Sequence, residues 1–381
     1  MRGEAPPSPG LMADGSTAEK RPLRVLITGG GTGGHLFPGL AIAEAFQRRV
    51  PGCEVRFAGS HYGLESRIVP ARGYRLHRLP VRGLYQAPLR RKLWVLAMLP
   101  VALLQALWIL LRYRPHLVVG VGGYASGPVL AVAILLRRVT AIQEQNVAPG
   151  LTNRLLGRLV SLAFAPDAEL SRWFPRMEVV GNPVRREILA LREAPSPPRP
   201  VPVVFVFGGS QGARAINRAM TEALPLLEGR PVEILHQTGA LDSEWVEERY
   251  RGCGLAYRLV PFLDDMAGAL SGARIVVSRA GASAVNEIVT ARRASILVPI
   301  PHTSGEHQLM NARRVAAAGA GVLIEQADLT GPRLAEELIA LLEHPERLDE
   351  MERHCDALFP GDAAERIAES CLRLVGRAPP G

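Results

Sequence analysis

The chain has 381 residues, enough for two to three domains at about 150 residues each. Apolar residues make up 48% and charged residues 21%, a balance that buries a core and excludes wholesale disorder or a coiled coil. The net charge of +9 is unevenly spread: residues 66–143 hold twelve Arg and Lys and no Asp or Glu. Only Lys20 and Lys92 are lysines, so the arginine excess reads as compositional bias and no nucleic-acid partner is expected. The four cysteines form no CxxC or Cys/His cluster, which excludes a zinc site and a disulfide framework.

Residues 1–22 mix Pro, Gly, Ser and charge and lack the apolar core of a signal peptide. They read as a disordered lead-in. The run 23–28 (LRVLIT) is apolar and β-branched. GGGTGGH follows at 29–35, then the helical FPGLAIAEAFQRRV. Strand, glycine loop and helix form the opening unit of a doubly wound α/β domain. Further strands are expected at 54–58, 117–121, 140–145 and 161–165, with helical stretches between most of them.

Between two of these strands lies 93–111 (LWVLAMLPVALLQALWILL), 19 residues without a charge. A helix of that length spans roughly 28 Å, close to a bilayer core. Arg90, Arg91 and Lys92 precede it, and Arg112 and Arg114 follow. Pro100, Gln105 and the α/β pattern on both sides weaken a transmembrane reading. A buried helix and a helix touching an anionic membrane surface remain, and the basic, acid-free flanks of 82–114 favour the second.

The Pro-rich EAPSPPRPVP at 193–202 reads as a linker between a first domain at 23–192 and a second at 203–362. After it the opening unit recurs: VVFVF at 203–207, GGSQGA at 208–213, then the helical RAINRAMTEALPLL. Strands are expected at 232–237, 256–261, 274–278, 295–299 and 321–325. Residues 363–377 read as an amphipathic helix that either stays with the second domain or crosses back to the first. Both domains suit parallel sheets with right-handed crossovers, facing across a cleft.

Four glycine turns at strand ends suggest phosphate-bearing ligands on both sides of that cleft. In the first, consecutive glycines let backbone N–H groups approach an anion at a helix N-terminus. It matches neither GxGxxG with a following acid nor GxxxxGK[ST], and strand two ends in Ala58-Gly59-Ser60, which lowers a dehydrogenase reading. His35 either deprotonates a hydroxyl or caps the helix. The second turn offers Ser210 to a phosphate. The third is Gly122-Gly123-Tyr124-Ala125-Ser126-Gly127. The fourth, Arg279-Ala280-Gly281-Ala282-Ser283-Ala284-Val285-Asn286-Glu287, places Glu287 where it accepts from both hydroxyls of a ribose or complements a helix N-terminus. Gln143-Glu144-Gln145-Asn146 either binds a sugar or caps a loop. Arg185 in GNPVR pairs with a phosphate or a carboxylate. Asp264-Asp265 reads as a loop before a helix, not as a metal motif.

The ordered motifs GGGTGGHLFPGLAIAEAF, GVGGYASGP, EQN, GNPVR, FGGSQGA, PFLDDM, SRAGASAVNEI and HQLMNA resemble those of the MurG family, over about residues 23–375. The resemblance implies a GT-B fold: two Rossmann-like domains, the first for acceptor and membrane, the second for the nucleotide sugar. It implies an inverting transfer of GlcNAc from UDP-GlcNAc to undecaprenyl-pyrophosphoryl-MurNAc-pentapeptide, without a metal or other cofactor, by a peripheral enzyme on the cytoplasmic face of the membrane. By motif it places Ser210 at the UDP phosphates and Leu263 against the uracil. It puts Ala282, Ser283, Ala284, Val285, Asn286 and Glu287 around diphosphate and ribose, with Gln308 on the GlcNAc hydroxyls. Thr32, Gly33, Gly34, Asn146 and Arg185 match donor-contacting positions of the first domain, and His35 is the implied base. Gln143 stands where many relatives carry His, so that side chain is not an obligatory base. A nucleotide-sugar epimerase and a transferase acting on a small natural product are alternatives that leave the basic apolar segment unexplained; a non-catalytic nucleotide-sugar sensor or membrane scaffold would bind UDP-GlcNAc without turnover.

Overall fold

The computed structural model describes residues 22–82, 88–193, 200–209, 212–301 and 306–377. All but the last residue of the lead-in, residues 194–199 of the linker, and Ser210 lie outside the described residues.

The first domain runs β1 (Arg24–Thr28), α1 (Gly33–Arg49), β2 (Glu54–Ser60), α2 (Glu65–Ala71), β3 (Arg75–Leu79), α3 (Leu89–Tyr113), β4 (Leu117–Gly120), α4 (Ser126–Leu135), β5 (Val139–Gln143), α5 (Leu151–Leu156), β6 (Leu162–Ala165), β7 (Met177–Val179) and α6 (Arg186–Ala190). The second runs β8 (Val203–Phe207), α7 (Arg214–Leu227), β9 (Glu233–Gln237), α8 (Ser243–Tyr250), β10 (Ala256–Val260), α9 (Met266–Gly272), β11 (Ile275–Ser278), α10 (Ala282–Thr290), β12 (Ala294–Leu297), α11 (His307–Ala317), β13 (Gly321–Leu323), α12 (Gly331–Glu343) and α13 (Pro345–Leu358). A last helix, α14 (Ala363–Leu374), follows. Among the described residues the strands form two parallel sheets, ordered β3-β2-β1-β4-β5-β6-β7 and β10-β9-β8-β11-β12-β13. Winding reverses beside β1 and beside β8. The carboxyl ends of β1 and β4, and of β8 and β11, therefore open the crevices where doubly wound sheets bind ligands.

β4 and β11 are buried along their whole length, as continuous apolar runs in a parallel sheet should be. Two short strands were not foreseen. β3 (RLHRL) buries only Leu79 fully, and β7 (MEV) has three residues; both lie at sheet edges and neither carries a continuous apolar run.

α14 crosses back to the first domain. Ile367, Ala368, Cys371 and Leu372 are fully buried in the same cluster as Ile27, Phe46 and Val119. Arg48 and Arg49, at the carboxyl end of α1, pair with Glu365 at 2.7 and 2.6 Å. Burial of the larger apolar side chains contributes about 1.5–3 kcal/mol each, against about 0–1 kcal/mol for a half-exposed ion pair. The apolar face therefore holds the helix, and the arginines set its register.

α3 contains the charge-free run. Ala102, Ala106, Ile109, Leu110 and Tyr113 are buried in one cluster with Val129 and Ala133 of α4. The opposite face exposes Leu93, Leu96, Leu104, Trp108 and Leu111, each more than half exposed. One face is thus a domain core and the other is apolar and open. α4, which carries exposed Leu135 at its end, contacts both α3 and α5, and α5 exposes Leu151 and Leu155.

Candidate active site

The first glycine turn leads into α1, with Thr32 as its N-cap in extended backbone and without a side-chain cap hydrogen bond. Its amides are not all free for a ligand. The Gly31 N–H donates to Glu65 Oε2 at 2.8 Å, and the Ser60 N–H donates to Glu65 Oε1 at 2.8 Å. Glu65 is 1% exposed. A Cβ on Gly30 would lie 2.5 Å from its carboxyl carbon, and Gly63 is crowded by the same group. Part of the glycine content thus makes room for an internal carboxylate. Gly123 of the third turn packs its backbone directly on Gly30, and the Gly30 N–H donates to Gly122 O at 3.3 Å. The third turn therefore supports the first.

Gln143 to Asn146 leave the end of β5. Glu144, 1% exposed, accepts from the N–H groups of Gln145, Asn146 and Gly150 and from the side-chain amides of Asn146 and Asn153, at 2.9–3.1 Å. Loop capping is therefore its role. Gln143 and Gln145 are also buried, and His35 Nδ1 lies 3.0 Å from Gln145 Oε1.

In the second domain α10 begins after Gly281, which has φ −64° and nothing within 4 Å of where a Cβ would stand. The protein itself makes no demand for glycine there, and the space beside the start of α10 is open. The first-turn amides of Ala282, Ser283 and Ala284 point from a helix N-terminus. The Val285 side chain is buried, and its N–H donates to Gly281 O at 2.9 Å. Ala284 packs on the core, and Asn286 Nδ2 donates to Ala282 O at 2.7 Å. Leu263 is half-buried beside α9, whose N-cap Asp265 accepts from the Gly268 N–H at 2.8 Å. Gln308 Oε1 accepts the Ile300 N–H at 3.1 Å, so its two N–H donors remain for another partner.

The two helix N-termini meet across the cleft. Ser283 Oγ donates to Gly34 O at 3.0 Å. Arg185 donates from Nε and Nη2 to the two oxygens of Glu287 at 3.0 and 2.9 Å, and its guanidinium lies 4.3 Å from the Phe37 ring centroid. Both partners of this pair are about nine-tenths buried. Burial raises the Glu287 pKa, and Arg185 offsets part of that rise. Thr32, Gly33, Gly34, His35, Arg185, Ser283 and Glu287 are thus brought together.

A cavity of about 480 Å³ opens beside the first turn, lined by Thr32, Tyr62, Glu65, Arg82 and Tyr124 among others. The Arg82 guanidinium stacks on Tyr62 at 3.9 Å and on Trp94 of α3 at 5.1 Å. Sequence reasoning named neither Arg82 nor Glu65 as a site residue. Each lies outside any motif and is recruited by the fold.

Residues 25–164 match the glycosyltransferase family 28 N-terminal domain, and residues 203–367 match the family 28 C-terminal domain. A protein of Anaeromyxobacter sp. (strain Fw109-5), named UDP-N-acetylglucosamine--N-acetylmuramyl-(pentapeptide) pyrophosphoryl-undecaprenol N-acetylglucosamine transferase, is 47% identical over 93% of this chain and 94% of its own. The protein of that name from Myxococcus xanthus (strain DK1622) is 44% identical over 93% of each chain. A crystal structure of MurG from Acinetobacter baumannii superposes with a TM-score of 0.72, at 30% identity, covering 92% of this chain and all of the other.

Proposed function

We infer the reaction from the premise that this chain belongs to glycosyltransferase family 28 and, within it, to the MurG N-acetylglucosaminyltransferases. It moves GlcNAc from UDP-GlcNAc to the MurNAc 4-hydroxyl of undecaprenyl-pyrophosphoryl-MurNAc-pentapeptide, lipid I, and so forms lipid II for peptidoglycan. The meeting of the α1 and α10 N-termini across the cleft carries the residue-level reading.

In that reading the donor lies on the second domain. The amides of Ala282, Ser283 and Ala284 hold its diphosphate, and the motif resemblance assigns Ser210 to the same phosphates. Leu263 covers the uracil, and the N–H donors of Gln308 take GlcNAc hydroxyls. Glu287 accepts from the ribose hydroxyls, so the donor competes with Arg185 for that carboxylate, and the freed guanidinium is available to the phosphates. Val285 and Asn286 hold the helix that presents these groups. Thr32, Gly33, Gly34 and Asn146 close over the donor from the first domain.

The acceptor takes the cavity beside the first turn. Arg82 there meets the lipid diphosphate, because it is the cation among the named lining residues. His35 Nε2 removes the proton from O4 as that oxygen attacks the anomeric carbon. The C1–O bond breaks with its electron pair passing to the departing UDP. Helix-terminal N–H groups stabilise the growing phosphate charge. Inversion follows from attack opposite the leaving group.

The same reading puts the protein at the cytoplasmic face of the membrane. The open leucine and tryptophan face of α3, with Leu135, Leu151 and Leu155, enters the lipid interface, and Arg90, Arg112 and Arg114 meet anionic headgroups. The buried face of α3 belongs to the domain core, which favours docking over spanning.

Labelled UDP-GlcNAc and a lipid I analogue test the reaction. Acceptor-dependent label in the lipid with matching UDP release is expected. Conversion of UDP-GlcNAc to UDP-ManNAc without acceptor would refute it in favour of an epimerase.

A further inference from the structure

Two buried amides beside His35 have directions fixed by main-chain carbonyls. Gln145 Nε2 lies 2.8 Å from Val121 O. A carbonyl oxygen only accepts, so the Gln145 atom facing it is the NH₂, and the opposite atom, which faces His35, is the oxygen. Gln143 provides an independent check. Its Nε2 donates to Glu144 O at 3.0 Å and to Asn182 Oδ1 at 3.1 Å, which leaves Gln143 Oε1 to accept from Gln145 Nε2. Asn182 Nδ2 in turn donates to Gln145 O at 2.9 Å and closes the set. Both glutamines are at most 4% exposed, so reversing either amide would set a buried oxygen against a carbonyl oxygen.

An oxygen 3.0 Å from His35 Nδ1 accepts only if Nδ1 carries a proton. A neutral imidazole with Nδ1–H has its lone pair on Nε2. The third glycine turn keeps the ring in place. A Cβ on Gly122 would stand 2.8 Å from His35 Nδ1, so this glycine leaves space that the imidazole fills.

We propose that Gln145 is a positioning residue for the transfer: it holds His35 as the Nδ1–H tautomer, so that Nε2 is the atom that takes the acceptor proton. This rests on the reading of His35 as base. The proton passes from O4 to Nε2, the ring becomes an imidazolium, and Gln145 Oε1 accepts from its Nδ1–H throughout. The proton leaves to water after product release. Gln145 touches no reacting atom in this account.

The test is ¹⁵N spectroscopy of histidine-labelled protein, with the His35 signals identified by their loss in His35→Asn. The neutral wild-type ring is expected to show a protonated Nδ1 and an unprotonated Nε2. Gln145→Met should release the ring toward the Nε2–H form. It should lower kcat about ten- to a hundred-fold, no more than the low end of the roughly 10²–10⁴-fold that a general base contributes, with KM for both substrates little changed. Nε2–H in the wild-type protein would overturn the proposal. So would a Gln145→Met enzyme with kcat retained, or with KM raised and kcat kept. If Gln145→Met does not fold, the wild-type spectrum decides alone, and Gln143→Met, which keeps the Val121 anchor, should retain the Nδ1–H signal. Full activity in His35→Asn would refute the base reading while an Nδ1–H signal still upheld the tautomer, so the two failures are distinguishable.

Discussion

Replacing Glu65 by Gln tests whether the first glycine turn is built around an internal carboxylate. Glu65 accepts two main-chain N–H groups at 2.8 Å while 1% exposed. Hydrogen bonds to a charged acceptor contribute about 1.5–3 kcal/mol each, and a buried donor left unmet costs about 1–3 kcal/mol. Gln keeps one carbonyl oxygen but turns an NH₂ toward the other N–H, so one bond is lost and one donor stranded. The expected loss is about 2–4 kcal/mol, a large share of the 5–15 kcal/mol that stabilises a typical domain. With a urea slope of about 2 kcal/mol per molar, the first-domain transition should fall by about 1–2 M. Glu369→Gln is the control, since Glu369 is more than a third exposed and its ion pairs with Arg373 and Arg49 contribute about 0.2–1 kcal/mol each. Urea unfolding followed by fluorescence reads the shift, and kcat should drop as well because the turn carries Thr32 and His35. A Glu65→Gln midpoint no lower than that of the control would refute the reasoning.

Three other expectations follow from named groups. Burial holds His236 near a pKa of about 3, against about 6.5 when exposed, so the unfolded chain binds more protons there. Stability should be complete above about pH 6.5 and fall by about 1.4 kcal/mol per unit as pH drops toward 3; His236→Gln should flatten that part of a pH series of urea midpoints, and an unchanged slope would count against it. Glu287→Gln should raise KM for UDP-GlcNAc about ten- to a hundred-fold, the equivalent of one lost charged hydrogen bond; steady-state kinetics with KM unaltered would remove Glu287 from the ribose. Leu104→Glu combined with Trp108→Glu, both on the open face of α3, should release the protein from anionic vesicles in flotation while sparing transfer to a short-chain soluble acceptor; persistent flotation would show that this face is not the contact.

Most of the fold was legible because its strands are interior. β1, β4 and β8 are short apolar runs that end at a glycine turn. β3 escaped because RLHRL has neither a continuous apolar run nor a period-two alternation, and only tertiary pairing with β2 makes it a strand. The destination of α14 escaped for a related reason. An amphipathic stripe tells that a helix is covered, not by which domain. The run 93–111 was ambiguous for the opposite reason, since it is apolar all round. The two faces differ in size, with alanines at 102 and 106 admitting α4, but not in polarity.

The four glycine turns show where motif reading stops. All four have the composition of an anion cradle, and reading them alike placed phosphates on both sides of the cleft. The structure separates them by what a Cβ would meet. At Gly30, Gly122 and Gly123 it would meet Glu65, His35 and backbone, so those glycines are demanded from within the domain. At Gly281 it would meet nothing, and the backbone angle is one any residue adopts, so packing does not demand glycine there. A glycine whose space is already filled is part of the scaffold. A glycine whose space stays open, as at Gly31, Gly150 and Gly281, is not required by packing. The first domain thus uses Gly30, Gly63 and Gly122 to hold a histidine and a carboxylate in fixed positions, while Gly281 leaves the start of α10 uncrowded, as the proposed diphosphate site requires. That division matches a transferase in which one domain supplies the base and the other carries the leaving group.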